Sequence, residues 1–437
     1  MIPPTPSRSW PALSEHRWLR LFTFTLFYLC QGFPIGLTSV AFPAWLLAQG
    51  LDKGAVAGFT ALVTAPWGFK LVAGPFMDRF AFPAMGLRRP WVILAQTLLV
   101  LAGLTLLGIH DPDAQLTALT IACTCMNAFA AMQDVAVDGM AITVFRDDER
   151  GTANGFMVAG QVAGYSFTGW ISVVLLNRYG IPAAGVLTAV AVGTVGALGV
   201  AFRERPGERL LPWSRGEAHP EAPKPERDTP QLALKLLRLF FLPMSLLLMA
   251  TEASYRMLEG VALVWHPDMA INLLGFTDEQ YAWWVSICSG FAAVVGLLMG
   301  VLIDRIGQKR GIIIGLACNG AVYAALGVLH PSLKDPTFAI VMLGALQLGS
   351  QWMFISTVSL FMKICGVRVA ATQFSIYMAL SNLARSFGAK LYPPLDTWLG
   401  GTGIFVFMAA AYAGAIIFVA FFQLERHKRR LAEMGET

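Results

Sequence analysis

Asp134 and Asp138 are the only charged residues between Leu116 and Phe145, a stretch long enough to cross a bilayer. A charged side chain at the centre of a spanning helix costs roughly 2.5–3.5 kcal/mol on insertion scales, so carboxylates there usually mark a path for a proton, an ion or a polar substrate. Spaced i and i+4, the two lie one turn apart on one helix face. Neighbouring carboxyls in a low-dielectric site titrate as a coupled unit, which is the chemistry of a proton acceptor. Gln133 precedes the pair and Gly139 follows it. The bland alternative is a structural ion pair in which Lys70 or Arg385 neutralises one of them.

Other polar residues fall inside apolar stretches. Glu252, Arg256 and Glu259 follow one another at i, i+4 and i+7, and Glu before Arg at i, i+4 is the favourable order for a helical ion pair. Arg256 is a candidate contact for an anionic substrate and Glu259 a second candidate proton site. A self-neutralised trio lining a wet cavity is the competing reading. Lys70, Arg385 and Lys390 add positive charge suited to a carboxylate or phosphate. Asn154, Gln161 and Tyr165, and Gln347, Ser350, Gln351 and Trp352, serve either as substrate contacts or as interhelical hydrogen bonds. Tyr28 and Gln31 stand beside Gly32, Pro34 and Gly36, where a kink frees carbonyls. Trp265, Trp283 and Trp284 are expected in an aromatic belt at the outer interface. No HExxH pair and no phosphate-binding GxxxxGK[ST] loop occur, so neither metal nor cofactor nor ATP hydrolysis is expected. A membrane-embedded acyltransferase would need a nucleophile–base or His–Asp pair within a span, and none is present.

These residues need helices to hold them. The 437-residue chain is 56% hydrophobic and 14% charged, against about 25% charged for a soluble domain. Its mean hydropathy is +0.60. Recurrent apolar runs predict an all-α polytopic membrane protein with twelve spans, near 19–48, 55–76, 91–109, 116–145, 152–176, 183–202, 232–265, 280–303, 311–329, 337–364, 371–392 and 403–423. The six cysteines lie in spans or at their ends and read as buried thiols. The N-terminal residues lack a secretory-signal pattern, so the first span is expected to stay as an anchor. With the N-terminus cytoplasmic, loops and tails on that side hold 25 Lys and Arg, and the outer loops hold three, Lys53, Arg178 and Lys334. The positive-inside rule then puts both termini in the cytoplasm. Residues 203–231 carry six prolines and six charges of each sign, the composition of a solvated linker. The expected division is a six-helix bundle over 1–202, a cytoplasmic linker over 203–231 and a second six-helix bundle over 232–437. The basic residues form no patch for nucleic acid.

A motif occurs twice, after the second and the eighth span. The first copy is Gly74-Pro-Phe-Met-Asp78-Arg79, then a five-residue insertion, then Gly86-Leu-Arg88-Arg89. The second is Gly300-Val-Leu-Ile-Asp304-Arg305-Ile-Gly307-Gln-Lys309-Arg310. It resembles the cytoplasmic loop motif of the major facilitator superfamily, which implies two pseudo-symmetric six-helix halves rocking about a central site, with the motif's Asp and Arg latching helix ends. Gln31-Gly-Phe-Pro-Ile-Gly36, Phe69-Lys70 through Arg79, Gly86 through Trp91 and Gln133-Asp134-Val-Ala-Val-Asp138-Gly139 resemble, in that order, the AmpG-like muropeptide permease branch. That branch also holds acetyl-CoA transporters and a siderophore group. The resemblance implies a proton-coupled importer of anhydro-muropeptides in the bacterial inner membrane, a monomer working amid lipid on a substrate with acidic groups. It gives Gln133, Asp134 and Asp138 the proton and polar-binding roles. Two departures keep other acidic ligands open, a siderophore or an acyl-CoA-like molecule. Asp138-Gly139-Met140 stands where muropeptide permeases tend to have Asp-Ala-Trp, and Gly160-Gln161-Val-Ala-Gly164-Tyr165 is closer to the acetyl-CoA transporters.

Overall fold

The computed structural model describes residues 12–80, 82–145, 150–220, 237–329, 335–365 and 370–434. Helices make up nearly all the regular structure there, and the one extended pairing is an isolated bridge between Ala12 and Arg203. The first helix, α1 (Arg17–Gly36), runs through Pro34 into a wide π turn at Leu37–Ala41 and on into α2 (Phe42–Ala48). The span expected over 55–76 is broken. It comprises α3 (Lys53–Thr64), a 3₁₀ turn at Ala65–Phe69 and α4 (Lys70–Arg79). Pro66 and Gly68 sit in the turn, where each weakens the helical ladder.

The chain continues with α5 (Arg89–Thr105), α6 (Leu116–Val144), α7 (Arg150–Tyr179) and α8 (Ile181–Ala201). Then come α9 (Pro243–Asp268), α10 (Asp278–Ile306), α11 (Gln308–Val328) and α12 (Pro336–Ile364). The last two are α13 (Ala370–Phe421) and α14 (Leu424–Glu433). Gly400, at φ 67°, interrupts α13 between the expected eleventh and twelfth spans. The seventh span starts at Pro243, later than expected, because proline opens a helix more readily than it continues one.

Eight helices among the described residues are long and apolar enough to cross a membrane. The second, seventh, eighth and eleventh expected spans are not among them: the second is divided by its 3₁₀ turn, the seventh carries Glu252, Arg256 and Glu259, and the eleventh carries Arg385 and Lys390.

Packing divides the chain into two compact units, residues 1–37 with 72–227, and 38–71 with 228–437. By packing, then, segment 38–71 groups with the later helices, whereas the expected division followed chain order. In the first unit α1 lies along α7, and α5 sits between α6 and α8. In the second α9 lies along the first half of α13, and α11 sits between α12 and the second half of α13. Counted as spans, the pairs 1–5, 3–4 and 3–6 recur as 7–11, 9–10 and 9–12. The leading pair in each unit crosses glycine on glycine. A methyl added to Gly32 would lie 2.5 Å from the Tyr165 nitrogen, and one added to Gly260 would lie 2.9 Å from Gly388 Cα. Only small residues allow backbones this close.

The linker begins differently from its solvated expectation. Glu204 and Glu208 are wholly buried. The Glu204 carboxylate accepts the backbone N–H groups of Leu87, Arg88 and Arg89, capping α5. Arg89 donates to the carbonyls of Gly199, Val200, Arg209 and Leu210, and Arg205 donates to Thr143 at 2.7 Å. Backbone groups thus satisfy the Glu204 carboxylate and the Arg89 guanidinium, those at the start of α5 and the end of α8 among them.

Candidate functional site

In the first unit, residues from three helices converge. Tyr28 and Gln31 come from α1, Gln133, Asp134 and Asp138 from α6, and Gln161 from α7. The Tyr28 hydroxyl donates to Asp138 Oδ1, and Gln31 Nε2 donates to Asp134 Oδ1. Gln161 Nε2 donates to Gln31 Oε1 at 2.5 Å, and Gln133 Nε2 donates to the Phe27 carbonyl at 2.9 Å. Gln31, Gln133 and Asp134 are buried, whereas Asp138 is exposed. The carboxylates therefore have separate partners on α1. Buried Asp134 ends a Gln161–Gln31–Asp134 chain, and Asp138 faces open space with Tyr28. Tyr165, one turn beyond Gln161, is half-buried with its backbone against Gly32 and Gly36.

Beside Asp138, the Arg88 side chain lies across Gly139. A methyl there would sit 2.8 Å from Arg88 Nε. This gives a physical reason for glycine at a position where alanine would collide with the guanidinium.

In the second unit, α9 and α13 supply an ionic cluster. Arg256 donates from Nε to Glu252 at 2.8 Å and from Nη1 to Glu259 at 2.6 Å, and Arg385 reaches Glu259 at 4.0 Å. Arg256 also lies over the rings of Tyr255 and Phe354. Glu252 Oε2 is buried without a hydrogen bond among the described residues. Lys70 lies over the Trp67 ring, its ammonium 4.4 Å from the centroid, and Lys390 is exposed.

The two clusters occupy matching places. Gln31 precedes Gly32 and Glu259 precedes Gly260. Tyr28 and Arg256 stand three residues earlier on their helices. Gln161 lies three residues before Gly164, and Arg385 three before Gly388. Each glycine crossing thus carries a polar pair on its flank, the hydrogen-bonded Gln31–Gln161 in one unit and the Glu259–Arg385 ion pair, 4.0 Å apart, in the other. The sequence reading picked out these residues but not this correspondence. The signal was there in the spacing from the glycines, hidden because the partners are neutral in one copy and charged in the other.

Other expected site residues fall elsewhere. Trp352 donates its indole N–H to the Gly311 carbonyl at 2.7 Å, joining α12 to α11, and Gln351 packs against Gly296 of α10. Trp265 is buried, stacked on Tyr323 with centroids 5.7 Å apart and edge-on to Phe405. It is a core residue and not a belt residue, because α9 extends past it to Asp268. Of the repeated loop motif, Gly74 lies in α4, Gly300 in α10 and Gly307, at φ 89°, between α10 and α11. Arg305 and Arg310 are exposed, and Lys309 donates to the carbonyls of Ala420 and Phe422. The side chains of Asp78, Arg79, Asp304 and Asn154 lie outside those described. An interaction missed from sequence joins α3 to α9 and α13. Lys53 pairs with Asp268 and Asp396, each at 2.8 Å, and the Tyr392 hydroxyl donates to Asp268.

Long apolar helices, buried carboxylates held by neutral donors and a duplicated helix arrangement together define a multi-pass membrane transporter for a small molecule, rather than an enzyme. The chain belongs to the Major Facilitator Superfamily, whose family profile matches residues 24–389 and 260–436. It is 24% identical over 397 residues to the anhydromuropeptide permease of Escherichia coli (strain K12), covering 89% of this chain and 76% of that protein. It is 23% identical over 405 residues to a protein named putative transporter AmpG 4 of Rickettsia felis, covering 89% and 92%. Its fold is similar to that of a D-xylose–proton symporter (TM-score 0.70, 15% identity, 93% of this chain and 97% of the other). It is also similar to a POT family transporter crystallised with 5-aminolevulinic acid (TM-score 0.68, 11% identity, 92% and 95%).

Proposed function

We propose that this protein is a proton-coupled permease of the AmpG type that imports an anhydro-muropeptide across the bacterial inner membrane by alternating access. One observation carries the reading: Gln31, Gln133, Asp134 and Asp138, the residues shared with the AmpG-like branch, gather with Tyr28 and Gln161 where α1, α6 and α7 meet, the Gln161–Gln31–Asp134 chain on one side and the Tyr28–Asp138 bond on the other. Asp134 is the proposed proton carrier, because a buried carboxylate held by a neutral amide gains most from binding a proton when its surroundings change. Asp138, exposed beside Tyr28, is proposed to meet substrate. Arg256 is matched by Glu252 and Glu259, and Arg385, 4.0 Å from Glu259, is the proposed contact for an acidic group of the substrate. In this reading the protein is a monomer with twelve spans in two six-helix halves and with both termini in the cytoplasm.

Uptake of labelled anhydro-muropeptide into proteoliposomes, with and without an inward proton gradient, tests the proposal. Gradient-stimulated accumulation is expected, and equal uptake in both conditions would count against coupling. A second reading changes the ligand to a siderophore or acyl-CoA-like anion, favoured by the span containing Gln161 and Tyr165. Thermal shifts of the purified protein with one ligand of each class separate the readings.

A further inference from the structure

The last apolar helix ends at Phe421, and two residues later α14 begins with the sequence LERHKRRLAE. Its two faces differ in chemistry. His427 and Leu431, one turn apart, are buried. Leu431 packs with Leu239 and Leu242, and His427 Nε2 lies 2.8 Å from the Ile364 carbonyl. The helix is thereby seated against the rest of the second unit. The other face presents Arg426, Lys428, Arg429 and Arg430, all exposed.

Two of these four cations are already engaged. Lys428 pairs with Glu425 at 3.4 Å, and Arg430 with Glu433 at 2.8 Å. Arg426 and Arg429 make no ion pair or hydrogen bond among the described residues. Both open onto a recess of about 600 Å³ that Lys309 also lines. Lys309 is held there by the carbonyls that end the last span. The rest of the lining is Phe422, whose side chain is buried, Gln423, Leu424 and Glu425, whose carboxylate is matched by Lys428. Phe421, at the end of the span just before it, is exposed.

We propose that this recess binds the phosphate of an anionic phospholipid of the surrounding bilayer. Arg426 and Arg429 would engage the phosphate oxygens with their guanidinium forks, and Lys309 adds a point charge behind them. Two features select a lipid over a soluble phosphate. The site sits where an apolar span ends, at headgroup depth, where a basic segment meets anionic lipid. Leu424 in its lining and the exposed Phe421 at the end of the span offer acyl chains apolar surface that a soluble ion does not need. Bound lipid would fix α14 to the membrane surface and hold His427 and Leu431 in place. The inference requires only that the protein spans a membrane, and it is independent of the transported substrate.

Native mass spectrometry and thermal unfolding of the purified full-length protein test it, with phosphatidylglycerol, phosphatidylcholine, glycerol phosphate and inorganic phosphate as separate additions. Phosphatidylglycerol is expected to raise the melting temperature and remain as bound adducts, and the other three are expected to do neither. The double variant Arg426→Gln/Arg429→Gln is expected to match the parent in detergent alone and to lose most of the lipid-dependent rise. Arg430→Gln, which removes a cation that neither lines the recess nor pairs with a residue lining it, is expected to keep it. Equal lipid effects on the parent and the double variant would overturn the site. A rise with glycerol phosphate or inorganic phosphate equal to that with lipid would overturn the lipid as its occupant. Arg429→Lys, which keeps the charge, guards against a folding artefact: adducts retained with lysine and lost with glutamine support the proposal, and adducts unchanged by either substitution refute it.

Discussion

Asp134 and Asp138 share a helix face but accept hydrogen bonds from different residues of α1, and this separates their expected roles. Asp134 is buried and accepts from Gln31, which is itself bonded to Gln161. Asp138 is exposed and accepts from Tyr28. Asp134→Asn keeps the size of the side chain and removes its proton chemistry. Proteoliposome uptake by this variant is expected to lose its response to a proton gradient while thermal-shift binding of substrate persists. Asp138→Asn and Tyr28→Phe should instead weaken substrate binding by about tenfold each, as expected for one charge-assisted hydrogen bond, and leave the gradient response in place. A gradient response retained by Asp134→Asn and lost by Asp138→Asn would reverse the assignment. The identities of these residues were legible in the sequence, because a charge or amide inside an apolar span is costly and therefore conspicuous. Their pairing was not. Which amide meets which carboxylate depends on how α1, α6 and α7 are rotated about their axes, and hydropathy along one chain carries no such information. Arg89 and Glu204 show the opposite failure: they looked like ordinary loop charges because their partners are backbone groups, which every sequence has.

The helices are positioned by two devices, close glycine crossings and charged clasps at their ends. Gly32 against α7 and Gly260 against α13 occupy equivalent places, so equivalent substitutions should have similar effects. Gly32→Leu and Gly260→Leu are each expected to destabilise by about 1–3 kcal/mol, the usual cost of overpacking a close-packed contact, and to lower the melting temperature of the purified protein. Leucine at Gly108, where an added methyl would meet nothing within 4 Å, should be nearly silent. The end clasp carries a pH dependence. Burial, and next the neighbouring Glu204, push the Glu208 carboxyl up to about 7 from an ordinary 4.5. A carboxyl raised in the folded state binds its proton more tightly there than in the unfolded chain, so its contribution is fully present below about pH 4.5 and is lost as the pH rises to about 7. Amide exchange at 203–217, measured relative to intrinsic rates, should therefore become less protected across that window. Glu208→Gln should flatten the trend, and an unchanged slope in the variant would assign it to another group. The helices themselves were readable from the apolar runs. The breaks at Ala65–Phe69 and Gly400 and the late start at Pro243 follow proline and glycine chemistry, which an average over a span-length window conceals.

For the whole molecule, the sequence property with the longest reach is the asymmetry of its basic residues. Under the proposed topology, loops and tails carry 25 Lys and Arg on one side and three on the other, and the positive-inside rule favours the first set for the cytoplasm, the orientation proposed above. The clasp at Glu204 and the basic helix α14 both belong to that set, so orientation decides which compartment each one senses. The assignment also depends on span number. Eight helices qualify by length and apolarity alone, and the polar and broken ones must cross as well for the sides to alternate as proposed. Single cysteines at exposed loop positions test both points in the full chain. Asp113→Cys, in the turn between α5 and α6, is expected to react with a membrane-impermeant maleimide added outside intact cells. Ala218→Cys, in the segment after α8, is expected to react only after the cells are opened. A third substitution, Leu273→Cys, lies in the turn between α9 and α10, where Leu273 is exposed; with twelve spans it should label from outside like position 113. Labelling relative to the unsubstituted protein removes the background of the six native cysteines. If position 273 labelled only after the cells were opened while position 113 still labelled from outside, an odd number of crossings would lie between them, and the polar helix α9 would be the first one to remove from the count.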